Sequence, residues 1–144
     1  MSQVRTGGPA QRGMVSEHGS VEFRYPVDPT SVRVARRVVA GVCRFWRAGD
    51  ACDTATLAVS ELVGNSVRAG AGEELRLRLS WTPRRLRVEV CDESTDAPRI
   101  GQPDLLAESG WGMWIVSQLA VRWGTQVQAR GKCVWAEIAL PAAA

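Results

Sequence analysis

The sequence has few of the residues that build metal sites and no segment that suits a membrane. It contains one histidine and four cysteines, none of them in a C-x-x-C pair, so a zinc site is not expected. Its apolar runs are too short to span a bilayer, and no apolar stretch typical of a secretory signal opens the chain. We therefore expect a cytoplasmic protein in which Cys43, Cys52, Cys91 and Cys133 are reduced and act as small apolar residues.

The chain also lacks a strong excess of charge. Its net charge is +3, from 18 basic and 15 acidic residues, which does not by itself favour a nucleic-acid partner. Leucine and valine alternate with arginine along two predicted strands, a pattern that predicts one solvated face of a sheet. The arginines assigned to that face are Arg76, Arg78, Arg84, Arg85 and Arg87. We expect no aromatic residues among the arginines of that face, which disfavours a surface for nucleic acid.

The length of 144 residues suits one domain that buries a substantial core without staples. Residues 1–19 are rich in glycine, serine and glutamine and show no apolar period, which predicts a disordered N-terminal tail. The domain is predicted to cover residues 20–141, with a short C-terminal tail at residues 142–144. No internal repeat divides it.

Alternation and helical periodicity give the predicted order of elements. "VEFRYPV" alternates as a strand, and a helix follows from the cap Asp28 to Gly49. A second helix is predicted from about Asp53 to Arg68, ended by "GAG". "ELRLRLSW" and "LRVEVCD" form a hairpin, and a loop, a helix with the stripe Met113, Val116, Leu119 and Ala120, and a last hairpin complete the chain. This order predicts an α+β two-layer sandwich, with a mainly antiparallel sheet and helices packed on one face.

Three polar signals stand out against this pattern. Glu61 and Asn65 lie one helical turn apart and share a helix face. Asp92 ends a strand whose preceding residues are apolar, and the glycines Gly110 and Gly112 come directly before a helix, where backbone N–H groups can hold phosphate. Each signal alone is usually structural, because strand ends, helix flanks and glycine turns are common. Their order and spacing on one chain favour a functional reading.

This order resembles the GHKL family of ATPases over nearly the whole chain, from Val21 to Leu140. Within that family the sequence is most similar to the short, single-domain branch of anti-sigma-factor serine/threonine kinases. "LAVSELVGNSVRA" resembles the N box of this branch, "VEVCDESTDAP" its first glycine box and "GWGMWIV" its second. The resemblance implies the Bergerat ATP-binding fold, with ATP and Mg²⁺ as ligands.

The resemblance also implies roles for individual residues. Glu61 would act as the general base on the attacking hydroxyl, Asn65 would hold Mg²⁺, and Asp92 would accept a hydrogen bond from the adenine amino group. Further nucleotide contacts are implied at the glycine-box positions Ser94, Pro98, Gly110, Trp111, Gly112 and Met113.

The sequence departs from the usual pattern of the branch at several positions. Ala69 stands where histidine is frequent, Ser66 replaces alanine, and Trp111 and Met113 replace arginine and leucine. Two functions therefore stay open. The first is a kinase that phosphorylates a small anti-sigma-factor antagonist and sequesters a sigma factor. The second is a degenerate module that regulates by protein contact without phosphoryl transfer. In either case the resemblance implies a homodimer, and neither a nucleic-acid partner nor a membrane is expected.

Overall fold

A computed structural model describes residues 4–7, 19–46, 48–94 and 111–140 of the chain. Its strands are β1 (Val4–Gly7), β2 (Gly19–Pro26), β3 (Glu74–Trp81), β4 (Arg85–Asp92), β5 (Arg122–Gln128) and β6 (Gly131–Ala139). Its helices are α1 (Thr30–Phe45), α2 (Ala51–Ala69) and α3 (Trp111–Leu119). Within these ranges, no helix is both long and apolar enough to cross a membrane.

The described strands form one six-stranded sheet in the order β1-β2-β3-β4-β6-β5, with every pair antiparallel. Strict alternation places Leu75, Leu77 and Leu79 of β3 on the covered face, where each is fully buried. Burial of each leucine contributes about 1.5–3 kcal/mol to stability. The predicted α+β sandwich and its two hairpins are confirmed.

The helix ends follow from local chemistry. The carboxylate of Asp28 accepts hydrogen bonds from the backbone N–H and hydroxyl of Thr30, each at 2.8 Å. The cap position itself is Pro29, so the prediction of Asp28 as the cap is wrong by one residue. Helix α2 ends where Gly70 adopts a φ of 61°, a left-handed conformation that glycine takes without steric cost. Helix α1 ends at Phe45, earlier than the predicted Gly49.

Helix α2 is the central helix of the covering layer. It packs against α1 and α3 on its sides and against β4 and β6 below. Its own side chains Val59, Leu62 and Val63 are buried in the core, so the carboxyl-terminal half of the helix is held firmly on the sheet. Helix α3 carries Met113 and Val116 into the core as predicted, but Leu119 is 48% exposed. The predicted stripe is wrong at Leu119 because the helix ends at that residue.

The opposite face of the sheet carries a cluster of charges around Trp135. The carboxylate of Glu137 accepts a hydrogen bond from Arg122 at 2.8 Å and a second from Arg87 at 3.3 Å. The guanidinium of Arg87 also lies 4.2 Å from the centre of the Trp135 ring, within cation–π distance. The expectation that no aromatic residue lies among these arginines is therefore wrong, because β6 brings Trp135 beside β4.

The N-terminal tail expected from the sequence differs from the structure. Val4–Gly7 forms a strand paired with β2, whereas a disordered tail is predicted for residues 1–19; the pairing satisfies backbone groups along the edge of β2. Residues 1–3 and 8–18 of that predicted tail lie outside the described residues.

The expectation of four reduced cysteines is wrong for Cys91 and Cys133, which form a disulfide between β4 and β6. These two residues are directly opposite each other in the strand register, where side chains of antiparallel strands meet. The other two cysteines, Cys43 and Cys52, are free thiols. Burial, followed by the neighbouring Cys52, raises the pKa of the Cys43 thiol to about 12, so this thiol is neutral at physiological pH.

Candidate functional site

The second half of α2 directs three polar side chains toward one end of the sheet. Glu61 and Asn65 are half-buried along the flank of the helix, whereas Ser66 faces the sheet and is 4% exposed. This arrangement follows from the helical repeat, because residues one turn apart share a face and the next residue is rotated by about 100°. The helix thus places two groups on its flank and one against the sheet. We call the region between this flank, the end of β4 and the start of α3 the candidate cleft, and the sheet side of it the floor.

Asp92 lies on that floor at the end of β4. Its carboxylate is buried and is held from two sides: the hydroxyl of Ser66 donates to Oδ2 at 2.5 Å, and the backbone N–H of Ser94 donates to Oδ1 at 2.9 Å. The structure therefore brings together Asp92 and the N-box helix, as the resemblance implies. It also gives Ser66 a role that sequence reasoning missed; a serine among the buried residues of a helix was the available signal.

A second missed residue is Lys132, at the start of β6. Its ammonium nitrogen lies 3.6 Å from Oδ1 of Asp92, and the two side chains are only 10% and 3% exposed. Lys132 is the single lysine among 18 basic residues. Its opposition to Asp92 depends on the register between β4 and β6, which the sequence does not reveal.

Gly131 makes this close pairing possible. Its φ is 126°, a backbone conformation that other residues rarely adopt. A Cβ at this position would also overlap the backbone carbonyl of Asp92. The glycine therefore allows the start of β6 to lie tightly against the end of β4, which carries Lys132 to the Asp92 carboxylate.

The start of α3 meets the flank of α2. A Cβ added to Gly112 would overlap the carboxylate of Glu61, so glycine at this position lets the Glu61 carboxylate approach the first turn of α3. The backbone N–H groups of a first helical turn have no partner within the helix, and the helix dipole makes this end positive. Glu61 of the N box and Gly112 of the second glycine box are thus brought together.

Asn65 makes a contact that the sequence did not predict. Its carboxamide oxygen accepts a hydrogen bond from the guanidinium of Arg68, one turn further along α2. Arg68 is exposed, so its long side chain can leave this oxygen without disturbing the core. The oxygens of Asn65 and Glu61, one turn apart, are hard donors of the kind that Mg²⁺ accepts, and the residues present fit this ion once Arg68 moves.

The remaining predicted nucleotide contacts differ in their positions. Ser94 lies beside Asp92 and is 4% exposed. Met113 is 4% exposed within the hydrophobic core, so its role in nucleotide binding stays a prediction. Trp111 is the first residue of α3, but its side chain, Pro98 and Gly110 lie outside the described residues.

Comparison with known protein families shows the family to which the chain is similar. The family model of the histidine kinase-like ATPase domain matches residues 25–138. The chain belongs to this family. The match covers more than half of the chain and includes Glu61, Asn65, Asp92 and Gly112. A search of curated proteins found no match.

Membership of the histidine kinase-like ATPase family implies that the protein binds ATP, usually with Mg²⁺. The GHKL assignment and the ATP-binding fold are thereby confirmed. The candidate cleft lies between the flank of α2, the end of β4 and the start of α3, and the buried carboxylate of Asp92 lies on its floor.

Proposed function

We propose that this protein is an ATP-dependent serine/threonine protein kinase that phosphorylates a small anti-sigma-factor antagonist and sequesters a sigma factor. The observation that carries the kinase proposal is the approach of the Glu61 carboxylate to Gly112 at the start of α3. A helix start is suited to phosphate, and a carboxylate beside it is suited to accept the proton of an attacking hydroxyl.

Each residue then has one task in the transfer. The hydroxyl oxygen of the substrate forms a bond to the γ-phosphorus, the bond to the β–γ bridging oxygen breaks, and ADP leaves. Glu61 accepts the hydroxyl proton, and Asp92 accepts a hydrogen bond from the adenine amino group. Asn65 would hold Mg²⁺, which supplies charge neutralisation on the phosphates when bound.

Glu61→Gln separates catalysis from binding. It removes the proton acceptor but keeps the size of the side chain, so we expect ADP affinity within about twofold of the parent and a transfer rate lower by about 10²–10⁴-fold. The matched control is Asp53→Asn, an exposed carboxylate on the same helix. Single-turnover phosphorylation of candidate antagonists from neighbouring genes measures the rate. Transfer by Glu61→Gln at the parental rate would remove Glu61 from the mechanism.

A second candidate function is a module that binds nucleotide and regulates by contact alone. The hydrogen bond from Arg68 to the proposed metal-ligating oxygen of Asn65 favours it, because a cation already lies where Mg²⁺ would bind. Ala69 also stands where the kinase branch often has histidine. A parent protein that binds ADP and its partner but transfers no phosphate would support this function over the kinase.

The outer face of α1 supports a protein partner under either function. This helix carries four arginines and no acidic residue, and the described ion pairs include none of them. Beside them, Val34 is 43% and Phe45 is 70% exposed. An acidic partner with an apolar contact surface fits this combination, since a polar rim around apolar anchors is typical of protein interfaces.

Gly41 adds a geometric reason to favour a protein on this surface. It lies between Val34 and Phe45 along the exposed side of α1, and a Cβ there would meet open space. Glycine inside a helix costs about 1 kcal/mol relative to alanine, and the notch it leaves would let a partner's backbone approach closely. Arg37→Glu and Phe45→Ala should each weaken capture of the sigma factor or antagonist at least tenfold, whereas Arg78→Glu on the sheet face should not.

An equal loss of capture from Arg78→Glu would place the partner elsewhere. The homodimer implied by the resemblance stays a prediction, which the mass of the parent in solution can test independently of these variants.

A further inference from the structure

Lys132 has an unusual environment for a lysine. Its side chain is 10% exposed, and lysine is rarely buried unless it is paired, because removing an ammonium group from water is costly. Asp92 is its sole ion-pair partner among the described residues. Lys132 does not lie on the outer face of the sheet, where Arg87 and Arg122 pair with Glu137. It lies beside Asp92, at the floor of the candidate cleft.

The pairing with Asp92 leaves binding capacity on both groups. The distance of 3.6 Å between Nζ and Oδ1 is longer than a good hydrogen bond, and the ammonium has three N–H donors. The Asp92 carboxylate accepts from Ser66 and from the Ser94 backbone, yet a carboxylate has about four acceptor positions. One acceptor position of Asp92 and at least two N–H donors of Lys132 therefore have no partner among the described residues, and the two groups lie side by side.

We propose that Lys132 is a base-reading residue, which donates a hydrogen bond to N1 of adenine while Asp92 accepts one from the neighbouring N6 amino group. This inference rests on the nucleotide site of the proposed function but not on phosphoryl transfer. Adenine presents a donor and an acceptor side by side on this edge, and the buried carboxylate and ammonium offer the complementary pair. With Asp92 at the 6-position, guanine would present its O6 acceptor to a carboxylate, so the pair selects adenine.

The proposal can be tested with one nucleotide analogue and one variant. In 1-deaza-ADP a C–H group replaces N1, so the acceptor is lost while the amino group is kept. Lys132→Met keeps much of the side chain and removes the donor. We expect the parent to bind 1-deaza-ADP about tenfold or more weakly than ADP, and Lys132→Met to lose a similar factor toward ADP. Lys132→Met should bind ADP and 1-deaza-ADP equally, because the variant has already lost the hydrogen bond that the analogue removes.

A second measurement does not require the variant to fold. Lys132 is the single lysine of the chain, so protein grown with ¹³Cε-labelled lysine gives one side-chain NMR signal without any assignment. Saturating ADP should shift this signal strongly, and saturating 1-deaza-ADP should shift it much less.

Three outcomes would overturn the proposal. If Lys132→Met weakens the affinity for ADP and the affinity for 1-deaza-ADP by the same factor relative to the parent, Lys132 acts only through charge or packing. Tighter ADP binding by Lys132→Met would mean that the lysine competes with adenine for Asp92. The same NMR shift with both nucleotides would exclude contact with N1. Failure of transfer alone, with the expected cycle intact, would refute the kinase and leave this proposal standing; a parent without ADP affinity would refute the site itself.

Discussion

Ser66→Ala tests whether the floor of the cleft is held by the hydrogen bond between Ser66 and Asp92. The two residues are 4% and 8% exposed, and their 2.5 Å contact joins a hydroxyl to a carboxylate. Such a bond contributes about 1.5–3 kcal/mol. Because alanine has a higher helix propensity than serine, the substitution offsets about 0.5 kcal/mol of this loss of stability. We therefore expect the free energy of unfolding to fall by about 1–2.5 kcal/mol.

Urea denaturation followed by tryptophan fluorescence measures this loss, and Ser60→Ala is the matched control. Ser60 is half-buried on the same helix. Its replacement by alanine is the same chemical change, at a position that makes no hydrogen bond to Asp92. The control should be as stable as the parent or more stable by a few tenths of a kcal/mol. If Ser66→Ala is as stable as Ser60→Ala, the hydroxyl does not hold the carboxylate, and the description of the cleft floor is wrong.

Three further predictions concern the sheet. The hydrogen bond from Arg122 holds the pKa of the Glu137 carboxyl below its ordinary value, so its stabilising effect is present above the unfolded pKa of about 4.3 and is lost as pH falls through the lower folded pKa; Glu137→Gln should destabilise at pH 7 and much less at pH 3, and an equal difference at both pH values would exclude this linkage. Deletion of residues 1–18 removes Val4–Gly7 and should lower the denaturation midpoint measurably, whereas an unchanged midpoint would mean that β1 adds no stability. Reduction of the Cys91–Cys133 disulfide, which spans 42 residues, should lower the free energy of unfolding by about 2–4 kcal/mol; identical urea curves with and without reductant would show that the bridge contributes nothing.

The sequence predicts the sheet well wherever one face is buried. "ELRLRLSW" alternates strictly, and β3 covers these eight residues, because a shift by one residue would expose every leucine. It predicts the end of α2 at Gly70, whereas the cap of α1 is one residue beyond the predicted Asp28. It fails at Val4–Gly7, since four residues with two glycines nearby carry almost no periodic signal.

The parts of the site that the sequence does not predict all depend on register and long-range contact. Local motifs predict Asp92, Glu61 and Gly112 as site residues, but the partners of these residues come from other elements. Lys132 reaches Asp92, and Cys133 reaches Cys91, only because β6 pairs with β4 in one particular register. No local pattern in "GKCVW" specifies that register, since both faces of this strand are largely buried.

Titration of ADP into the parent and into Asp92→Asn by calorimetry tests the central claim most directly. The claim is that the buried carboxylate at the end of β4 reads the adenine base. Loss of a charge-assisted hydrogen bond costs about 1.5–3 kcal/mol, so the affinity of Asp92→Asn should fall by about 10- to 150-fold while the variant stays folded. A folded Asp92→Asn that binds ADP with parental affinity would contradict the account, because adenine recognition would then lie elsewhere.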